Sequence, residues 1–170
     1  MIVVSDTTPI ISLLKMDRLP LLHSLFGSVC IPFAVFEELT GNPNYQEEVS
    51  VLRESDFIQV EEVANTGEVQ AIKNDGLDIG ESEAIVLAKQ LSADILLMDE
   101  AKGRLVASRH GLQIMGTVGI LLQAFKDGFL SYHEAVDCVF SLRRNHRRIS
   151  ENLLMDLMKE IESIESNRQA

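Results

Sequence analysis

The chain has 170 residues, 46% of them hydrophobic and 24% charged, a composition that fits one globular domain with a full-sized core. A net charge of −11 argues against a nonspecific nucleic-acid coat, and no apolar run approaches the length of a bilayer span. Met1 leads straight into a strand rather than through a basic segment to a long apolar one, so a cytoplasmic protein is expected.

Cys30 and Cys138 lie far apart, each among apolar residues, and read as reduced, buried small hydrophobes. The four histidines show no ligand spacing, which argues against zinc held by thiolate or imidazole. The charge is unevenly spread: residues 37–100 carry 16 acids against 3 bases, whereas 101–150 carry 8 bases against 3 acids.

In chain order, the β-branched run 2–4 reads as a buried strand that stops at Asp6. Thr7-Thr8-Pro9 punctuates it, 9–16 and 18–26 read as two short helices, and Gly27 closes the second. A strand over 28–31 follows, and Pro32 suits the first position of a helix that ends at Gly41. Residues 45–54 form an amphipathic pattern, 57–63 alternate as a strand, and 68–73 read as a helical turn. Then come an Ala- and Leu-rich helix over 80–91, a fully apolar strand over 95–98 ending at Asp99, and a helix over 101–110 ended by Gly111. A strand over 112–115 and helices over 117–126, 132–143 and 150–163 complete the pattern, leaving a frayed tail at 167–170. Such strand-helix alternation predicts an α/β fold with a parallel sheet covered on both faces.

Four places put acids near the carboxyl edge of that sheet: Asp6, the pair Glu37 and Glu38, the pair Glu81 and Glu83, and the pair Asp99 and Glu100. Ligands bind in the crevice outside the carboxyl ends of the strands in open α/β sheets. Carboxylates gathered there raise one another's pKa, so a native cluster normally implies a bound cation, and Mg²⁺ or Mn²⁺ suits oxygen-only ligands. Local roles compete with this. Asp6 could simply cap a helix, and Asp78 with Glu81 has the spacing of a capping box. Glu81, however, falls in line with Ala84, Ile85 and Ala88, the small apolar stripe that must face the sheet, whereas Glu83 falls beside Leu87. Periodicity separates Glu37 from Glu38 only slightly, in favour of Glu38. Asp99 follows four apolar residues directly, in parallel with Asp6.

The succession SDTTPI, VFEEL, GESEAIVLA, LLMDEAKGR and GTVGILLQAFKDG resembles PIN-domain proteins, specifically the branch DUF3368, related to the VapC-like ribonuclease toxins of toxin–antitoxin pairs. The likeness covers about residues 2–130. It implies a three-layer α/β/α fold with a central, mainly parallel sheet and a PIN-like domain over 1–130; the helices beyond the likeness, over 131–166, are expected to pack on the same domain. It also implies a metal-dependent nuclease site. Residue by residue, the family's acids match Asp6, Glu38, Glu81 and Asp99, with Thr7 following the first and Glu83 and Glu100 as assisting candidates. Glu81 stands where many relatives carry Asp.

The expected activity is hydrolysis of RNA phosphodiester bonds by one or two Mg²⁺ or Mn²⁺ ions held by those four acids, with no nucleophilic side chain required. RNA is favoured over DNA on the family likeness alone. Lys102 and Arg104, just past Asp99, and the run Arg143, Arg144, Arg147 and Arg148 are candidates to contact substrate phosphates. A toxin would have a small antitoxin protein as partner, and the helices over 9–26 and 45–54 offer surfaces for it and for a homodimer. A phosphoaspartyl phosphatase would need a second acid where Thr8 stands, and Walker A and GxGxxG patterns are missing. The rival from another class is a non-catalytic PIN-fold module that binds a protein partner.

Overall fold

The structure, a computed structural model, describes residues 1–145 and 149–170. The chain divides into two compact units, Met1–Gly116 and Thr117–Ala170. The division falls ahead of the boundary at 130 drawn from the sequence.

The first unit is built on five parallel strands: β1 (Val3–Ser5), β2 (Val29–Pro32), β3 (Ile58–Glu61), β4 (Ile95–Leu97) and β5 (Ile114–Met115). They lie in the order β3-β2-β1-β4-β5. The helices between them are α1 (Thr7–Lys15), α2 (Pro20–Phe26), α3 (Phe33–Gly41), α4 (Gln46–Glu54), α5 (Thr66–Asn74), α6 (Ile79–Gln90) and α7 (Ala101–Arg109). Together they make the three-layer α/β/α fold that the alternation predicts. Val3 and Val4 of the central strand are buried, as a strand with neighbours on both sides and helices over its faces must be. Its register is set against β4 by Val4 facing Leu96 and against β2 by Val4 facing Cys30. Strand β3 at the sheet edge is half-exposed, and its burial does not follow the alternation of its sequence: Val60 is exposed and Glu61 partly buried.

Helix α6 packs against β1, β2 and β4 and is flanked by α3 and α5. Ala84, Ile85, Val86, Leu87 and Ala88 are all buried, so this helix is enclosed rather than amphipathic. The small apolar stripe read from the sequence is therefore one part of a fully buried helix. Leu77, Val69, Ile72 and Val106 complete the core around it.

Two helix ends follow their glycines: Gly27 and Gly111, at φ +78° and +76°, take left-handed conformations that close α2 and α7. Pro32 differs from expectation. It ends strand β2 in extended backbone at ψ 162° and sits at the N-cap of α3, one position before the first helical residue. Helix α5 also begins two residues earlier than the sequence pattern indicates, at Thr66, where the Asn65 side chain accepts a hydrogen bond from the Glu68 amide.

The second unit comprises α8 (Thr117–Lys126), α9 (Tyr132–Asn145) and α10 (Glu151–Gln169). Its core joins Ile120, Leu121, Phe125, Val139, Leu142, Leu154, Leu157 and Ile161. Ser150 caps α10 by accepting from the Leu153 amide, and Arg168 hydrogen-bonds the Phe125 carbonyl at 2.8 Å while lying over its ring. That anchoring carries α10 to Gln169, well beyond the end at 163 expected from periodicity. No helix among the described residues is long and apolar enough to cross a membrane.

Candidate functional site

The sheet order places β1 between β2 and β4, with successive strands added on one side and then on the other. The carboxyl ends of β1 and β4 therefore flank the switch point where α/β sheets open a crevice. Asp6 lies there. Its backbone amide donates to the Leu97 carbonyl at 2.9 Å, which ties the residue to both strand ends.

Asp6 occupies the N-cap of α1, yet its side chain makes no capping hydrogen bond. It is 3% exposed. Burial is the main cause that raises its carboxyl from 3.8 to about 7, and the charges of Glu81, Asp78 and Glu38 push it the same way. The Thr7 amide beside it acts in the opposite sense.

Glu81 is 8% exposed at the start of α6. The capping box read from the sequence is present: the Glu81 amide donates to Asp78 Oδ1 at 2.8 Å, and the Asp78 amide donates to Glu81 Oε2 at 3.0 Å. The same two residues are also the strongest charges acting on Asp6, so the local role and the site role coexist. Glu81 Oε1 faces Gly103 of α7, where an added Cβ would stand 3.2 Å from it.

Glu38 reaches the site from α3. Its Oε2 accepts the Thr7 hydroxyl at 2.6 Å, a bond that ties Glu38 to the residue after Asp6. Glu83 is occupied elsewhere: its Oε2 accepts the Ala34 amide at 3.0 Å and caps the first turn of α3, which Pro32 cannot cap. Glu83 thus has a structural role at the start of α3.

Asp99 follows β4 at the other lip of the crevice. An added Cβ on Gly116 would lie 2.8 Å from Asp99 Oδ1 and 3.2 Å from Arg104 Nη1, so both side chains crowd one glycine. Arg104 Nη1 donates to the Met98 carbonyl at 2.8 Å, and Lys102 donates to the Gly76 carbonyl at 3.2 Å. Both bases are therefore fixed to main-chain oxygens near the acids. Glu100 stands at the N-cap of α7. Arg143 pairs with Glu151 at 2.9 Å within the second unit and Arg144 is exposed, while Arg147 and Arg148 lie outside the described residues.

Beside Glu38, an open cleft of about 560 Å³ runs between α3 and the start of α6. Phe33 and Ile79 supply its apolar wall, and Glu37, Glu38, Asn42 and Glu83 its polar one. Sequence patterns do not reveal it, because it forms between helix ends 46 positions apart.

The family model for DUF3368, described as a PIN domain, matches residues 2–163. The chain belongs to the PIN-domain family. PIN domains are usually nucleases, and PIN nucleases generally use divalent metals. No curated protein and no solved structure matches the chain. For this PIN domain the fit to a metal can be judged from its donors. The acids at the crevice offer oxygen alone, and a buried Asp6 pressed by three like charges gains from any cation placed among them. Among the described residues, no three or more Asp, Glu, His or Cys side chains come together closely enough to hold a metal ion by themselves. The arrangement is one of hard donors around an opening.

Proposed function

We propose that this PIN-domain protein is a divalent-metal-dependent ribonuclease that hydrolyses RNA phosphodiester bonds, acting in the cytoplasm as the toxin of a toxin–antitoxin pair. The observation that carries the reading is Asp6, buried at the switch point of the sheet with the charges of Glu81, Asp78 and Glu38 bearing on it. In this reading Asp6, Glu38, Glu81 and Asp99 hold Mg²⁺ or Mn²⁺. A divalent cation, when bound, supplies an acidified water and positive charge at the scissile phosphate. Thr7 fixes the rotamer of Glu38 through its hydroxyl, and the capping box fixes that of Glu81. Arg104, held on the Met98 carbonyl, adds positive charge at the Asp99 lip. The partner expected for a toxin is a small antitoxin protein, and the active form is a homodimer.

The open spacing of the acids favours one alternative, a PIN-fold module that binds a partner without catalysis. One experiment separates the two: incubation of structured and single-stranded RNA with Mn²⁺ or Mg²⁺ and with EDTA, comparing wild type with Asp6→Asn and Asp99→Asn, beside calorimetric titration of the metal. Metal-dependent cleavage abolished by both substitutions supports the nuclease. A protein that neither cuts a broad RNA panel nor binds either ion is the binding module.

A further inference from the structure

The cleft between α3 and α6 extends away from the acids of the crevice and shares only Glu38 with them. Its lining is unusual for a surface beside a phosphodiester-cleaving site, since none of the residues that form it is basic. Its three carboxylates make it a poor place for a phosphate. What it offers is an aromatic face on Phe33, 51% exposed at the first turn of α3, an aliphatic wall on Ile79, 44% exposed, and the carboxylate of Glu37 at the rim. Asn42 adds its amide NH₂, since its Oδ1 is already committed to the Asn44 amide at 2.9 Å. The floor is rigid, because the Glu83–Ala34 bond staples α3 to α6.

Phe33 is one of four exposed aromatics, with Phe129, Tyr132 and Phe140, and the one that lines a cleft shared with Glu38. The cleft is continuous with the candidate site, because Glu38 belongs to both and holds the hydroxyl of the residue after Asp6. A strand cleaved at Asp6 would carry its neighbouring nucleotide into this space, and about 560 Å³ accommodates an unpaired nucleobase with its ribose.

We propose that this cleft is a nucleobase pocket, in which an unpaired base flanking the scissile phosphate stacks on Phe33 and donates its amino edge to Glu37. Stacking on an aromatic ring is the usual way proteins hold unpaired RNA bases, and it serves any base. Glu37 adds selection. A carboxylate accepts hydrogen bonds only, so it suits adenine, cytosine and guanine, whose edges carry amino groups, over uracil, whose single N3–H donor lies between two carbonyl oxygens that repel a carboxylate. The expected substrate is thus single-stranded RNA with an amino-bearing base beside the cut.

This inference rests on the nuclease reading, and its test is arranged in two parts for that reason. The first measures kcat and KM on short single-stranded RNAs that differ only in the base flanking the cut, for wild type, Phe33→Ala and Glu37→Gln. Both residues are exposed, so folding is retained. Phe33→Ala is expected to raise KM about tenfold with little change in kcat, and Glu37→Gln to erase a preference against uracil of about tenfold. If wild type cuts RNA and neither variant changes KM or base preference, the pocket is refuted while the nuclease reading stands. The pocket is refuted equally if an Arg-rich amphipathic peptide binds in a Phe33-dependent way and the RNA parameters do not depend on Phe33, which assigns the cleft to a protein partner. If wild type cuts nothing, the nuclease reading falls and the second part decides. A pentanucleotide carrying 2-aminopurine is titrated in Mn²⁺. Fluorescence quenched by wild type but not by Phe33→Ala upholds the pocket, and equal signals from the two refute it.

Discussion

Replacing Asp6 with Asn should make the metal-free protein more stable, against the general expectation for a buried polar residue. The carboxyl is raised from 3.8 to about 7, first by burial and then by Glu81, Asp78 and Glu38. At 1.36 kcal/mol per pH unit, holding that carboxylate ionised at pH 8 costs the fold about 4 kcal/mol. The sign follows from proton counts. Between pH 4 and 7 the folded chain holds a proton that the unfolded chain has released, so stability falls as pH rises through that window and levels off above it. Below pH 4 neither state is ionised and the contribution vanishes. Asn is close to isosteric and keeps an oxygen for the Thr7 amide, so the variant removes the charge and little else. Urea unfolding in EDTA should show Asp6→Asn more stable than wild type by about 4 kcal/mol at pH 8 and by about 1.5 kcal/mol at pH 5. Carboxylates remote from Asp6 titrate alike in both proteins and cancel in the difference, while relief of Glu81, Asp78 and Glu38 acts in the same stabilising direction. An Asp6→Asn protein as stable as wild type, or less stable, at pH 8 would refute the reasoning, because the charge would then be neither buried nor crowded.

Added Mn²⁺ or Mg²⁺ should recover part of that stability in wild type, read as a rise in melting temperature that grows with metal concentration and is missing in Asp6→Asn. Glu83→Ala should cost about 1 kcal/mol by uncapping α3, measured by urea unfolding, while metal-dependent cleavage persists. Gly116→Ala should displace Asp99, whose Oδ1 would stand 2.8 Å from the new Cβ, so cleavage should fall at least tenfold with metal affinity falling alongside it. Lys102→Ala should leave kcat within about twofold, since its ammonium is already bound to the Gly76 carbonyl.

The strands and most helices are legible in the sequence because each obeys a local rule: a β-branched run, a cap, a closing glycine. Asp6 and Glu81 stand out for the same reason, one ending an apolar strand and the other in register with Ala84 and Ala88. What local rules cannot express is a side chain's choice between two neighbourhoods. Glu37 and Glu38 are adjacent on one helix, and only the hydroxyl of Thr7, 31 positions away, tells them apart. Glu83 caps a helix 49 positions distant, which no periodicity records. Asp78 reads from the sequence as a cap alone, yet the box that fixes Glu81 also brings Asp78 to bear on Asp6. Asp99 matches Asp6 in pattern, but its immediate surroundings, Gly116 and Arg104, come from segments that follow it.

The strand that carries Asp6 is made well before one of the neighbours that complete it. Val3 pairs with Ile95, and the Ile2 amide bonds the Asp94 carboxylate across 92 positions, so one side of β1 stays open until nearly a hundred residues exist. At ribosomal rates of about 5–20 residues per second, that interval is about 5–20 s. Throughout it, the first acid cannot be enclosed and the fourth has not been made. In a nascent copy Asp6 and Asp99 therefore cannot share one crevice, which forms only after the first unit closes.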